Sequence, residues 1–371
     1  MIRLTHPGPG IRIRAPRRGS PGLQPGSGSP VFPLPRRTGG RENPRRGRRY
    51  RLQLAWRPLD PGQVGAWADL IAAVEAHDHS DEVLGESDLI EEFADPTMDF
   101  ARGSMAVYDG AAMIGHCVLM FREVPGDVHH MYQWGAVRPA YRGLGVGARL
   151  LEWSQEAAIG LHTGLFPGLP LALDGSCQAR NTDAMTLFAA QGFEQARWFH
   201  RMTMELTADL PRPADPPGVS ITTLTPGQHA AAMTVRNEAF RDHWNSTEMS
   251  PQAWAHWLSY SAFRPGYSFI AYADGAPAGI VIGHEYDAYT QATGRRELWI
   301  ALVGTTSSAR GRGIASALLG YALRAARADG LTAAGLEVDA DSPTGALGLY
   351  QRIGFAVTDT WITHRKVLLA G

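Results

Sequence analysis

One glycine-rich turn pattern occurs twice in this chain, and it constrains the fold more than any other feature of the sequence. The first copy reads Arg142-Gly143-Leu144-Gly145-Val146-Gly147, and the second reads Arg310-Gly311-Arg312-Gly313-Ile314-Ala315. Each follows a stretch of strand-like alternation and opens an amphipathic helical stretch. Small residues at such a junction let the backbone approach a ligand closely, so successive N–H groups and the helix dipole converge on an anion. The arginine that opens each turn adds a charge-assisted contact for phosphate. A Walker loop is excluded, because neither copy carries Gly-Lys-Ser/Thr. Residues 143–148 also satisfy the dinucleotide pattern G-x-G-x-x-A. The second copy reads G-x-G-x-x-S, however, and Asp174 lies farther along than the usual roughly 20 residues.

The two turns sit inside a longer repeat. Arg142 and Arg310 are 168 residues apart, and the pairs Gly192-Phe193 and Gly354-Phe355 are 162 apart. A repeat of one domain length signals duplication rather than a solenoid. Both copies begin with a short strand (52–58; 219–224), followed by Asp-Pro-Gly or Thr-Pro-Gly opening a helix. Alternating strands then flank Asp109-Gly110 in one copy and Asp274-Gly275 in the other. After the glycine turn and its helix, both have a short buried strand (171–174; 336–339), a helix ending at Gly-Phe, and extended chain. The expected domains are 50–208 and 218–371, joined by a proline-rich linker at 209–217. Residues 1–49 are rich in Arg, Pro and Gly and show no hydrophobic period, so they cannot offset the entropy of ordering. They read as a disordered tail, or as a start placed too early.

Length supports two domains, and no stretch approaches the roughly 20 apolar residues that span a bilayer. Cys117 and Cys177 make neither a disulfide framework nor a metal cluster. Residues 1–50 hold twelve arginines against the single acid Glu42, so a formal net charge of -1 leaves the remainder at about -12. An acidic folded part argues against nucleic acid as a partner and favours an amine-bearing substrate.

Both halves resemble GCN5-related N-acetyltransferases (GNATs) over essentially residues 50–371. The likeness is carried by "VRPAYRGLGVGARLLEW" with "NTDAMTLFAAQGF", and by "ARGRGIASALLGYALRAA" with "DADSPTGALGLYQRIGF". It implies an α/β fold in which a mixed central sheet, flanked by helices, splays beside the glycine turn. The pantetheine arm of acetyl-CoA would lie in the gap along the strand edges Gly135, Ala136 and Val137, and Val303, Gly304 and Thr305. Pyrophosphate would sit on Arg142, Gly143, Leu144, Gly145, Val146 and Gly147, and on Arg310, Gly311, Arg312, Gly313, Ile314 and Ala315. Asn181 matches the family's helix-start asparagine. Its counterpart in the second half is Pro343, with Ser342 as the expected helix cap.

The family reaction is direct attack of an amine on the thioester, with a base for the amine proton and a tyrosine for the leaving thiolate. Tyr350 matches that tyrosine, whereas the first half has Phe188, so catalysis is expected in the second half and the first is partly degenerate. Glu297 is the expected base, acting through water from one step beyond Trp299, where many members carry a carboxylate. His129 is its expected first-half counterpart, and Glu285 and Glu238 are alternatives. Aromatic residues within 240–263 serve either as core or as an acceptor wall, and the acidic run 77–99 serves either as a solvated face or as an attractor of cations. The tandem arrangement is similar to that of mycothiol synthases, which acetylate a cysteinyl amino sugar in their second domain. The expected protein is a cytoplasmic enzyme, monomer or homodimer, acting on a small-molecule amine, with no metal, nucleic acid or membrane partner. The alternatives are a non-catalytic acyl-CoA sensor or scaffold, a mycothiol-synthase-type enzyme and a protein N-terminal acetyltransferase.

Overall fold

In the computed structural model, residues 54–370 are described apart from 96–97, 122–123, 208–209, 211–214 and 343. The N-terminal tail, most of the linker and Pro343 therefore lie outside the described residues. The first half runs β1 (Leu54–Arg57), α1 (Val64–Asp78), α2 (Glu86–Phe93), α3 (Phe100–Gly103), β2 (Ser104–Asp109), β3 (Ala112–Phe121), β4 (His129–Val137), α4 (Val146–Leu165), β5 (Leu171–Gln178), α5 (Thr182–Ala190) and β6 (Glu194–Glu205). The second runs β7 (Val219–Thr223), α6 (His229–Ala239), α7 (Pro251–Trp257), β8 (Phe269–Ala273), β9 (Ala276–His284), α8 (Asp287–Thr293), β10 (Glu297–Thr305), α9 (Ile314–Ala328), β11 (Ala333–Asp339), α10 (Ala346–Ile353) and β12 (Ala356–Leu369). The repeat read from the sequence is thus a repeat of elements. No described helix is long and apolar enough to cross a membrane.

All twelve strands join one mixed sheet in the order β1-β2-β3-β4-β5-β12-β6-β11-β10-β9-β8-β7. Its centre holds an exchange. The last strand of the second half, β12, pairs with β5 of the first half, from Trp361 opposite Gln178 to Leu369 opposite Leu171. The last strand of the first half, β6, pairs with β11 of the second, from Ala333 opposite Glu205 to Asp339 opposite Phe199. The two exchanged strands also pair with each other. Each exchange is fastened by a bidentate ion pair between neighbouring strands. Arg365 donates to both oxygens of Asp174 at 2.7 Å, and Arg197 donates to both oxygens of Asp339 at 2.8 Å. Both aspartates are buried, so they depend on these partners.

Helices cover both faces. Leu318, Leu319, Ala322, Leu323 and Ala326 recur at helical spacing on α9, and Leu150, Leu151, Ala158 and Leu161 do so on α4; these stripes bury one face of the sheet. On the other face lie Trp67, Leu70 and Val74 of α1, with Trp254 and Trp257 of α7. Most of the large aromatics of 240–263 are therefore core: Trp254, Trp257 and Tyr260 are buried together with Ile280 and Ile282.

Candidate active site

Each half opens a groove where two parallel strands part. The β10–β11 ladder ends at Trp299 opposite Gly335, and the β4–β5 ladder ends at Gln133 opposite Gly175. Beyond those points the strand edges have no partner on that side among the described residues and face a cavity of about 580 Å³ in the second half and about 640 Å³ in the first. In β10 a bulge around Ala301 shifts the register with β9, whereas β4 pairs with β3 without a bulge. A bulge re-aims side chains next to a gap of this kind.

The expected strand-edge residues line these cavities: Val303, Gly304 and Thr305 in one, Gly135, Ala136 and Val137 in the other. Both turns arrive with their glycines in the left-handed region, Gly143 at φ +73° and Gly145 at +86°, Gly311 at +77° and Gly313 at +80°. That geometry leaves backbone N–H groups at the N-termini of α4 and α9 turned toward the groove, a fit for a pyrophosphate. Arg142, Gly143, Gly145, Gly147 and Asn181 line the first groove, and Arg310, Gly311, Gly313, Ile314 and Ala315 the second. Three expected residues contribute no side chain there. Leu144 is exposed, Val146 is core, and Arg312 is held away by Asp274 at 2.9 Å. The Arg142 guanidinium is committed to Asp78 by two bonds of 2.7 Å. Asn181 caps α5 by accepting from Ala184 N at 3.0 Å. The cap expected at Ser342 is not formed: Gly345, at φ +67°, precedes α10, and the Ser342 hydroxyl meets Thr344 instead.

Between the grooves lies a smaller chamber of about 80 Å³. The second half supplies Tyr286, Tyr289, Glu297, Trp299 and Glu337, the exchanged strands supply Arg201 and Trp361, and residues 80–84 of the first half close it. Ser80, Glu82 and Trp361 also line the first groove, and Glu337 also lines the second. Of segment 240–263, read as either core or acceptor wall, only Phe240, Asp242 and His243 reach the second groove.

Tyr350 lines the second groove from α10, and among the described residues nothing hydrogen-bonds its hydroxyl. Burial pushes its pKa up, so the hydroxyl stays protonated at neutral pH. Glu297 faces the chamber but is not free to act. It accepts from Arg201 Nη2 at 2.6 Å, and that guanidinium stacks 4.2 Å from the Trp299 ring. Burial raises the Glu297 pKa, while Arg201 opposes the rise. Gly335 makes room for the pair, since a Cβ there would stand 2.7 Å from the glutamate and 2.9 Å from Arg201. Glu285 is engaged by Arg296 and Arg264, and Glu238 by Ser307, so neither alternative base faces the chamber.

Glu337, which the sequence reading passed over, is the residue common to the second groove and the chamber. Burial lifts its pKa to about 7, with Glu82 and Asp359 adding to the rise and Arg201 opposing it. Its one sequence signal is a glutamate inside the otherwise apolar run Gly335-Leu336-Glu337-Val338. The first half matches neither Glu337 nor Tyr350. Leu298 and Met131 both pack toward the helix after the glycine turn, which makes Tyr132 the counterpart of Trp299. Two residues beyond their β-partners, Ser176 stands where the second half has Glu337. The same register corrects the counterpart of Glu297. His129 faces α4, where its Nδ1 lies 2.8 Å from His162 Nδ1, and it is His130 that shares the face of Glu297. Among the described residues no group of three or more His, Cys, Asp or Glu is placed to hold a metal ion.

Residues 230–355 match the acetyltransferase (GNAT) family, and residues 102–195 match an acetyltransferase (GNAT) domain. A mycothiol acetyltransferase of Thermobispora bispora is 31% identical over 274 residues, covering 71% of this chain and 83% of that protein. One from Pseudarthrobacter chlorophenolicus is 29% identical, covering 81% and 91%. A GCN5-related N-acetyltransferase from Sphaerobacter thermophilus superposes with a TM-score of 0.67 at 27% identity, over 86% of this chain and 96% of that one. A tandem GNAT protein from the clavulanic acid biosynthesis pathway has the same fold, with a TM-score of 0.63 at 16% identity, over 86% and 100%.

Proposed function

Because the chain belongs to the GNAT acetyltransferase family, as two such domains in tandem, and is an N-acetyltransferase, we propose that acetyl transfer takes place in the second half, between the groove that holds acetyl-CoA and the adjoining chamber that admits a small-molecule amine. The observation that carries this reading is Glu337, shared by groove and chamber, with Tyr350 lining the same groove. Glu337 takes the proton of the incoming ammonium. The amine nitrogen then attacks the thioester carbonyl carbon, the carbon–sulfur bond breaks, the Tyr350 hydroxyl protonates the departing thiolate, and the second proton shed by the new amide nitrogen restores the tyrosine. Glu297, fixed by Arg201, orients the chamber wall rather than moving a proton. The unpaired edge of residues 303–305 supplies backbone groups for the pantetheine arm, and the turn from Arg310 supplies N–H groups for the pyrophosphate.

With Phe188 and Ser176 in place of a donor and a base, the first half keeps acetyl-CoA as a bound ligand without turnover. The buried free thiols Cys117 and Cys177 suit a reducing cytoplasm. Relatives named mycothiol acetyltransferase favour a second reading, with a mycothiol-type acceptor; against it, Trp299 leaves its strand position without a carboxylate. The test is acetyl-CoA consumption by the full chain over a panel of amines. Tyr350→Phe is expected to lose turnover and keep acetyl-CoA affinity. A chain that binds acetyl-CoA and turns over no amine would instead be a sensor.

A further inference from the structure

One loop of the first half belongs both to the first groove and to the chamber beside the second. Residues 80–84 close the chamber, and Ser80 and Glu82 of that loop also line the first groove. The loop starts where α1 ends, at Asp78, which lines the first groove together with Arg142. Arg142 gives the Asp78 carboxylate two bonds of 2.7 Å, and its Nε donates to the Val137 carbonyl at 3.0 Å. The arginine that opens the first anion-binding turn therefore already holds an anion, one that belongs to the chain itself.

The second half has the same parts without this feature. Arg310 opens the matching turn and α6 ends at the matching place, but there Arg310 Nη2 donates to the neutral carbonyl of Ala239 at 3.1 Å. A phosphate arriving at Arg310 displaces nothing charged. A phosphate arriving at Arg142 meets the Asp78 carboxylate in the same seat, and the two anions repel. Pyrophosphate carries more charge than a carboxylate and also gains the backbone N–H groups of the turn, so it takes the arginine.

Asp78 matters because of the bend that follows it. His79 at φ +51° and Asp81 at φ +59° both hold the left-handed region that non-glycine residues avoid. Glu75, on the last turn of α1, keeps the bend by accepting from Ser80 N at 2.9 Å, Asp81 N at 3.1 Å and Glu82 N at 3.2 Å. His77 Nδ1 lies 2.8 Å from the Asp78 carboxylate on an exposed ring, and Arg180, also exposed, donates to the Asp78 and His79 carbonyls. A sparsely populated backbone persists only while its surroundings fix it. Of these supports, Arg142 is the one that a ligand of the first groove withdraws.

Resting on the reading that the first half holds acetyl-CoA without turnover and that the amine enters through the chamber, we propose that the first groove is an effector site. The pyrophosphate of a CoA thioester bound there displaces Asp78 from Arg142, the last turn of α1 loosens, and loop 79–84 moves off the chamber to admit the amine. The coupling is reciprocal, so an amine in the chamber strengthens CoA binding in the first groove.

The test uses the full chain at saturating acetyl-CoA, with an amine that the parent turns over. Gly145→Val, which empties the first groove, is expected to raise the KM for the amine at least tenfold. Adding Asp78→Asn to that variant is expected to bring KM back to within about threefold of the parent, because the loop is no longer fastened. Asp78→Asn alone is expected to tighten the acetyl-CoA site that Gly145→Val removes at least tenfold, read by calorimetry. An unchanged KM in Gly145→Val, a double variant no better than Gly145→Val, a first site no tighter in Asp78→Asn, or a single acetyl-CoA site on the parent would each overturn the proposal. Hydrogen exchange of the parent with and without saturating CoA needs neither a variant nor turnover. The amides of Ser80, Asp81 and Glu82 are expected to exchange at least tenfold faster with CoA bound, and slower or unchanged exchange overturns the proposal. If exchange quickens and no amine is acetylated, the transfer reading fails and the coupling stands. If amines are acetylated without quickened exchange, the coupling fails and the transfer reading stands.

Discussion

Replacing Glu337 with Gln is expected to inactivate the protein and stabilise it in the same stroke. The folded chain holds the Glu337 proton up to about pH 7, against an ordinary value of 4.5 in the unfolded chain. Between those values the folded state binds a proton that the unfolded state has lost, so stability falls as pH rises through this window. At about 1.36 kcal/mol per pKa unit the loss is on the order of 3 kcal/mol by pH 8. Glutamine has the shape of protonated glutamate and never ionises. The variant should therefore match the parent near pH 4.5 and melt about 6 °C higher at pH 8.5, at roughly 2 °C per kcal/mol for a protein of this size. Activity moves the other way. A base must be unprotonated to act, so parent kcat/KM should climb about tenfold per pH unit below 7 and level off above it. Glu337→Gln should lose that limb along with about 10²–10⁴ in rate. Differential scanning fluorimetry and initial rates of CoA release from pH 5 to 9 read both effects. A variant less stable at every pH, or one that keeps the pH limb, would refute the assignment of Glu337 as the base.

Other consequences are open to equally direct measurement. Tyr350→Phe should lower kcat by about 10²–10⁴ while leaving the acetyl-CoA dissociation constant within about twofold, measured by titration. Gly313→Val should abolish acetyl-CoA binding in the second groove and Gly145→Val in the first, because both positions hold a positive φ beside the anion-binding turn. The parent should titrate with two sites and each variant with one; two sites retained in either variant would contradict the cradle. Arg365→Met should cost about 3–5 kcal/mol, because it strands buried Asp174, and urea unfolding should show it. A loss below about 1 kcal/mol would mean that Asn245, 2.9 Å from Asp174, suffices as its partner.

The repeat, the turns and the place of Tyr350 on its helix were legible because each is local: a strand, a glycine pair and a helix adjoin in sequence and meet in space. The groove edges followed for the same reason. What the sequence could not expose is whatever depends on partners far along the chain. Glu337 reads as one acid in an apolar strand, and its significance comes from Arg201, 136 residues earlier, and from a chamber closed by residues 80–84. Glu297 read well by strand alternation, yet the alternation says nothing of the guanidinium that engages it. His129 and Glu297 stand equally far before their glycine turns, yet equal spacing does not give equal facing. The bulge at Ala301 breaks that equivalence. Ser342 was a sound cap by type, but Gly345 turns the chain into α10 three residues later.

Because β12 lies between β5 and β6, synthesis itself imposes an order of events. The first half emerges complete in sequence yet cannot close its sheet, since the strand that fills the space beside β5 has not been made. From Glu205 to Leu369 the ribosome adds 164 residues, which at about 5–20 residues per second takes roughly 8–30 s. Throughout that interval β5 presents a bare edge, open to any extended segment nearby. A chain of this design is exposed to mispairing while it is nascent and sealed once β12 is in place. Slowing translation within the second half should therefore raise aggregation far more than it would in a protein whose domains close one at a time.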